Sequence, residues 1–200
     1  IPEIDTLPKI DVCHPTEFNG DDEFLPYKRD ENLARPWALP GTPNLMHRVG
    51  GLEKQDGTGN VSYDPANHQH MVETRAKKVE LVADFVAEAE LEGSDNGTLV
   101  ISWGGTYGAC HTAVQTCVAE GMNVGHVHLR WINPFPRNLE SLIQQYDQIV
   151  VPELNTGQMS ALLRQQFLVD AVGINKIQGK PFHVNEIIDG IKTAAREVVS

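Results

Sequence analysis

The hydrophobic pattern along residues 67–200 predicts helices and strands in alternation. Apolar residues recur at helical spacing over 70–86, and the segment "LEGSDNGT" that follows has the composition of a loop. Short apolar runs predict strands, and helix-period segments lie between them. The predicted strands are 98–103, 123–131, 148–152 and about 174–178, and the predicted helices are 107–120, 138–146, 157–169 and a last one from about residue 184.

This alternation has a direct consequence for the fold. A strand, a helix and a second strand in sequence form a right-handed unit whose two strands are parallel. Residues 67–200 are therefore predicted to form a three-layer α/β/α domain around a mostly parallel sheet of about five strands.

Residues 1–66 follow neither period. They hold eight of the twelve prolines, together with the acidic stretch "EFNGDDEF" at 17–24. Disordered segments are poor in aromatic residues, whereas this one contains several large apolar side chains. We therefore predict an extended connecting arm that lies on another surface, through Phe18, Phe24, Tyr27, Trp37 and Leu45.

Charge and cysteine content exclude several classes of partner. The net charge of -11 argues against binding to nucleic acid or to an anionic membrane, and no apolar run approaches membrane-spanning length. The three cysteines are too few for an iron–sulfur cluster, and their scarcity is typical of a reducing cytoplasm. Cys110 and Cys117 share a face of the predicted helix and are expected to be buried. Because the chain starts at Ile1 rather than Met, we expect it to be a piece of a longer protein.

Polar residues follow three of the predicted strands, in "GGTYG", "RWINPFP" and "PELNTGQ". The carboxyl ends of parallel strands meet at one edge of a sheet, where ligands of α/β proteins bind. We therefore predict a crevice for a small ligand or anion, lined by Gly104, Gly105, Thr106, Tyr107, Arg130, Asn133, Glu153 and Asn155.

Two of these features have alternative interpretations. The glycines do not have the spacing of a dinucleotide fingerprint, so the turn either holds an anion on the amides of Thr106 and Tyr107 or is a tight connection that needs small residues for close packing. The spacing favours the connection. Glu153 could act as a general acid or base, or it could cap the next helix, and capping is favoured because no partner acid or nucleophile is in view.

The histidines raise the question of a metal. His126, His128 and Arg130 alternate and so point to one face of the second strand, while His68 and His70 lie where the arm meets the first helix. Zinc needs a third or fourth ligand, and none has a suggestive spacing. We therefore predict no metal site in this chain.

Long motifs in the arm and at the strand ends resemble a known family. "LARPWALPGTPNLMHRVGGLEKQDGTGNVSYDPANHQHM" (33–71), "HLRWINPFPRNL", "VPELNTGQMSALLR" and "INKIQGKPF" resemble, in the same order, the alpha subunit of 2-oxoacid:ferredoxin oxidoreductases, particularly the 2-oxoglutarate type. The resemblance implies a connecting arm (1–66) followed by a domain like the C-terminal domain of transketolase (67–200), which serves mainly in assembly and support. It therefore also implies that this chain holds no catalytic residue.

The resemblance also implies the chemistry of the whole enzyme. Such an enzyme uses thiamine diphosphate, Mg²⁺ and an iron–sulfur cluster to decarboxylate a 2-oxoacid oxidatively, forms an acyl-CoA with coenzyme A, and reduces ferredoxin. None of these cofactors is expected on this chain alone. A beta subunit is the implied partner, in a dimer of heterodimers. Three alternatives stay open: the same role in a pyruvate or branched-chain 2-oxoacid enzyme, a small-anion-binding or regulatory module, and a purely structural dimerisation domain.

Overall fold

The computed structural model describes residues 2–9 and 23–197. The prediction for Phe18 lies outside these residues. The chain divides into two compact units, Ile1–Leu81 and Val82–Ser200. In the part of the chain that the structure describes, no helix combines the length and the apolar character needed to cross a membrane.

The first unit is an irregular arm followed by helix α1 (Pro65–Leu81). Asn67 joins the helix to the arm, because its side-chain amide donates to the carbonyl of Lys54 and its carbonyl accepts from the amide of Asp56, both at 3.0 Å. The division of the chain at Leu81–Val82 thus groups the whole of α1 with the arm, whereas the predicted limits, 1–66 and 67–200, place the boundary just after the start of α1.

The predicted span of this helix, 70–86, is wrong at both ends. The helix starts at Pro65, because the carboxylate of Asp64 accepts from the amide of Ala66 at 2.7 Å and a proline suits the first helical position. It ends at Leu81, where one turn of 3₁₀ helix, Val82–Asp84, follows.

The second unit contains a five-stranded sheet, which confirms the predicted fold class. The strands β1 (Leu91–Gly93), β2 (Thr98–Trp103), β3 (Val124–Leu129), β4 (Gln148–Glu153) and β5 (Ala171–Asn175) lie in the order β1-β3-β2-β4-β5. Strands β2 to β5 pair in parallel, and only the edge strand β1 runs antiparallel to its neighbour β3.

Helices cover both faces of this sheet. On one face, α2 (Tyr107–Ala119) and α5 (Val184–Glu197) enclose a core that includes Cys110, Cys117, Ile187 and Ile191. On the other face lie α3 (Leu139–Ile143) and α4 (Gln158–Phe167), over the apolar side chains of β2, β3 and β4. The burial of both cysteines confirms the prediction made from their helical spacing.

Two predictions for strands are wrong. The loop predicted over "LEGSDNGT" contains β1, which is too short for alternation to reveal it and is held by pairing with β3. The last strand lies at Ala171–Asn175 rather than at 174–178, because its register with β4 pairs Ala171 with Ile149.

Candidate functional site

The turn after β2 is open rather than tightly packed. Gly104 has a φ of 58°, a left-handed conformation that favours glycine, but a Cβ at Gly104, Gly105 or Gly108 would meet no atom within 4 Å. The expectation that these glycines allow close packing is therefore wrong. The buried hydroxyl of Thr106 closes the turn by donating to the carbonyl of Trp103 at 2.8 Å.

Glu153, at the end of β4, is fully buried and holds the start of α4. Its two carboxylate oxygens accept from the backbone amides of Met159 at 2.8 Å and Ser160 at 2.9 Å. The side-chain oxygen of Asn155 accepts from the amides of Gly157 at 2.7 Å and Gln158 at 3.1 Å. This is the capping geometry that the sequence favours for Glu153, and it occupies both polar side chains within their own loop.

Arg130 and Asn133 follow β3 at the same edge of the sheet, and both are exposed. The carboxyl ends of the adjacent strands β3, β2 and β4 therefore bring the three predicted segments to one edge. With Glu153 and Asn155 engaged in their loop, the anion crevice stays a prediction that depends on Arg130 and on the turn at Gly104–Thr106.

A different group of side chains converges on the edge of the sheet beside α2. The carboxylate oxygen Oε2 of Glu92 lies 2.6 Å from Nδ1 of His111 and 3.3 Å from Nδ1 of His126. We call these three residues the Glu92 cluster. The hydroxyl of Tyr107 donates to Oε1 of the same carboxylate at 3.3 Å.

The fold positions the Glu92 cluster through strand register and helix spacing. Glu92 on β1 lies directly opposite His126 on β3, so their side chains share one face of the sheet. Tyr107 and His111 are one turn apart at the start of α2, which covers that face.

A hydrogen-bonded chain continues from the cluster along β3. The hydroxyl oxygen of Ser102 lies 2.7 Å from Nε2 of His126 and 2.8 Å from Nδ1 of His128. The predicted common face of His126 and His128 is thus confirmed, whereas Arg130 lies beyond the end of β3.

Burial and neighbouring charged groups together shift the pKa values of these side chains. Burial lowers the pKa of His126, which is 1% exposed, although the adjacent carboxylate of Glu92 opposes this change. Burial also lowers the pKa of His128, and the charge of Arg130 adds to that effect. Burial tends to raise the pKa of Glu92, but the hydrogen bonds from His111 and His126 outweigh it and leave this pKa lowered.

The Glu92 cluster has the donor set of a metal site, with two imidazole nitrogens and one carboxylate oxygen within 4.8 Å of one another. Sequence reasoning missed it because Glu92 was placed in a loop and His111 in an unremarkable helix. The signal that could have revealed the cluster is an acidic residue opposite His126 on a neighbouring strand.

Comparisons with known proteins support the family resemblance. Residues 97–187 match the family described as pyruvate:ferredoxin oxidoreductase core domain II. The 2-oxoglutarate oxidoreductase subunit KorA of Mycobacterium tuberculosis is 40% identical over 195 residues, which cover 97% of this chain and 29% of that protein. The alpha subunit of 2-oxoacid:ferredoxin oxidoreductase 1 of Aeropyrum pernix is 26% identical and is matched over 86% of this chain and 28% of its own length. The chain therefore spans less than a third of these relatives.

One solved structure matches across both units. The 2-oxoglutarate:ferredoxin oxidoreductase from Magnetococcus marinus, solved with 2-oxoglutarate, coenzyme A and succinyl-CoA bound, has a TM-score of 0.85 and 29% identity over 97% of this chain and 34% of that chain. The sequence motifs, the fold and the relatives therefore all indicate the same family.

Proposed function

Since the chain belongs to the alpha-subunit family of 2-oxoacid:ferredoxin oxidoreductases, of the 2-oxoglutarate type, we propose that it works as part of an enzyme that converts 2-oxoglutarate and coenzyme A to an acyl-CoA, with release of CO₂ and reduction of ferredoxin. The observation that carries the proposal is the 40% identity to the mycobacterial 2-oxoglutarate oxidoreductase subunit along 97% of the chain. The bound 2-oxoglutarate and succinyl-CoA of the Magnetococcus enzyme support the same substrate.

Within that enzyme, the role proposed for this chain is assembly and support. The arm exposes large apolar side chains, among them Trp37, Met46, Val49 and Tyr63, as a segment that packs on a further surface would. In the α/β unit, by contrast, the carboxylate of Glu153 at the end of β4 is buried, and both of its oxygens accept backbone amides at the start of α4. Both features favour a structural role over a catalytic one.

Two of the cofactors of such an enzyme, the iron–sulfur cluster and Mg²⁺, find no suitable set of ligands among the residues considered above. An iron–sulfur cluster takes four thiolates, whereas Cys110 is buried and its burial raises the pKa of its thiol to about 12. The Mg²⁺ of a bound diphosphate prefers oxygen ligands, and the Glu92 cluster offers two nitrogens. We therefore assign thiamine diphosphate, Mg²⁺ and the iron–sulfur cluster to other parts of the enzyme.

The proposal extends to partners and location. The chain would assemble with a beta subunit into a dimer of heterodimers in the cytoplasm, with ferredoxin as the electron acceptor. The relatives named as alpha subunits support the need for a second kind of subunit.

The proposal is tested with the complete alpha subunit, purified together with its partner subunit. Ferredoxin reduction is measured with coenzyme A and, in parallel, 2-oxoglutarate, pyruvate or a branched-chain 2-oxoacid. Reduction that requires coenzyme A and is fastest with 2-oxoglutarate supports the proposal. A preference for pyruvate or for the branched-chain acid would transfer the same role to that enzyme class, and no reduction with any 2-oxoacid would overturn the proposal.

A further inference from the structure

We propose that the Glu92 cluster is a binding site for a divalent first-row transition metal ion, with Zn²⁺ as the preferred occupant. The proposed ligands are Oε2 of Glu92, Nδ1 of His111 and Nδ1 of His126. This assignment is independent of the proposed enzyme activity.

The distances suit such an ion after a small adjustment. A tetrahedral zinc ion with bonds of about 2.0–2.2 Å separates its ligand atoms by about 3.3–3.5 Å. The oxygen of Glu92 and Nδ1 of His126 are already 3.3 Å apart. The 2.6 Å separation between Glu92 and His111 must lengthen. The side chains of His111 and Glu92 are 32% and 42% exposed, so both have room to move.

The deepest ligand is fixed by a second layer of hydrogen bonds. His126 is buried, and its far nitrogen, Nε2, contacts the hydroxyl of Ser102 at 2.7 Å. Metal-binding histidines usually hold their second nitrogen in this way, which sets the tautomer and the ring orientation. Ser102 in turn contacts His128, so the orientation of His126 depends on two residues that would not touch the ion.

The protons balance when an ion binds. Without metal, one consistent arrangement has His128 donate from Nδ1 to Ser102, Ser102 donate to Nε2 of His126, and His126 donate from Nδ1 to Glu92. With metal on Nδ1 of His126, each of these bonds to Ser102 reverses direction. The single proton of His126 is then on Nε2 instead of Nδ1, and that of His128 is also on Nε2. The neutral rings of His126 and His128 therefore lose no proton when the ion binds. A neutral His111, which donates from Nδ1 to Glu92 without metal, would likewise carry its single proton on Nε2 and leave Nδ1 free for the ion.

A second histidine–glutamate pair in the chain shows what distinguishes the proposed site. Nδ1 of His68 lies 2.6 Å from Oε2 of Glu53, the same separation as between His111 and Glu92. There the carboxylate also accepts from the guanidinium of Arg75, at 3.2 Å, rather than from a second histidine. The cationic guanidinium occupies the position of the third ligand, so this pair cannot hold a metal ion in the same way and His68 serves as a matched control.

Such an ion would join three elements of the second unit. Glu92, His126 and His111 lie on β1, β3 and α2, so one ion would tie the short edge strand to the sheet and to the helix above it. Because the cluster is partly exposed, water would complete the coordination as the fourth ligand. An ion that binds only the folded state stabilises that state, and saturating zinc is expected to raise the melting temperature.

The test is a zinc titration of the metal-free chain in the presence of a competing chelator, with Co²⁺ as a spectroscopic substitute. We expect one zinc ion per chain. Glu92→Gln and His111→Gln are each expected to weaken zinc binding by about tenfold or more, and Ser102→Ala by about tenfold through the orientation of His126. His68→Gln should leave the affinity unchanged. In the unmodified chain, Co²⁺ should give the visible absorption of a four-coordinate site and be displaced by zinc.

Three results would overturn the proposal. One is the absence of stoichiometric zinc binding by the unmodified chain. Another is binding that Glu92→Gln and His111→Gln leave intact. The third is an equal loss with His68→Gln, which would indicate weak binding to any surface histidine. If a variant does not fold, the Co²⁺ spectrum of the unmodified chain and its displacement by zinc decide the question.

Discussion

Glu153 offers the sharpest test of how the α/β unit is held together. Its carboxylate is fully buried and accepts two backbone amides at the start of α4, at 2.8 and 2.9 Å. In the variant Glu153→Gln the side chain keeps nearly the same shape. It retains one acceptor oxygen, and its NH₂ group must face the second backbone N–H, which then has no acceptor.

The expected cost follows from these contacts. A hydrogen bond to a charged group contributes about 1.5–3 kcal/mol, and the negative charge adds a favourable interaction with the helix N-terminus of up to about 2 kcal/mol. Losing one bond and the charge should lower the free energy of unfolding by about 2–4 kcal/mol, a large share of the roughly 5–15 kcal/mol typical of a domain.

The assay is urea unfolding of the α/β unit within the whole chain, followed by the fluorescence of Trp103 and Trp131 in a background that carries Trp37→Phe. Glu88→Gln is the control, because Glu88 is an exposed glutamate in the same unit. It should change the free energy of unfolding by less than about 0.5 kcal/mol. If Glu153→Gln were equally harmless, the capping role assigned to Glu153 would be refuted.

Three further predictions concern other contacts. Tyr146 donates to the carbonyl of Ser94 at 2.6 Å, so Tyr146→Phe should lower the free energy of unfolding by about 1 kcal/mol. Burial also raises the pKa of Tyr146 to about 12 from 10.0, so the contribution of Tyr146 to the free energy of unfolding is complete below pH 10 and is lost as the pH rises towards 12. If the parent and Tyr146→Phe lost stability equally with rising pH, this prediction would be contradicted. A methyl group at Gly125 would collide with that hydroxyl and lie 2.6 Å from the same carbonyl, so Gly125→Ala should cost about 2–3 kcal/mol in urea, and a neutral effect would refute the packing. In the first unit, hydrogen bonds to the carboxylate of Glu53, led by that from Arg75, hold its pKa at about 2 instead of 4.5. The stabilisation that Glu53 provides is therefore complete above pH 4.5 and is lost as the pH falls towards 2. An NMR titration of Glu53 with a midpoint near 4.5 would contradict this prediction.

The sheet of the second unit could be predicted from the sequence because its central strands are buried on both faces. Such strands appear as continuous apolar runs, and Thr98–Trp103 was predicted with the limits that the structure has. The edge strand could not be predicted in this way. Leu91–Gly93 has only three residues, and its pairing with β3 is a long-range contact that no local pattern records.

The same limit explains why the Glu92 cluster was missed. The alternation of His126 and His128 correctly placed them on one face, but a carboxylate from β1 and a histidine from α2 complete the group. Along the sequence, His111 lies 19 positions after Glu92 and 15 positions before His126. Only the antiparallel register of β1 with β3, and the helix α2 that covers this face of the sheet, bring the three residues together. The role of Glu153 was easier to predict, since a carboxylate before a helix commonly caps it.

The role proposed for this chain is to support a thiamine-dependent enzyme without itself holding the thiamine. Isothermal titration of thiamine diphosphate with Mg²⁺ tests it most directly, with this chain in one cell and the complete enzyme in another. We expect saturable binding to the complete enzyme and no binding to the chain alone. Stoichiometric binding by the chain alone, or none by the complete enzyme, would contradict it.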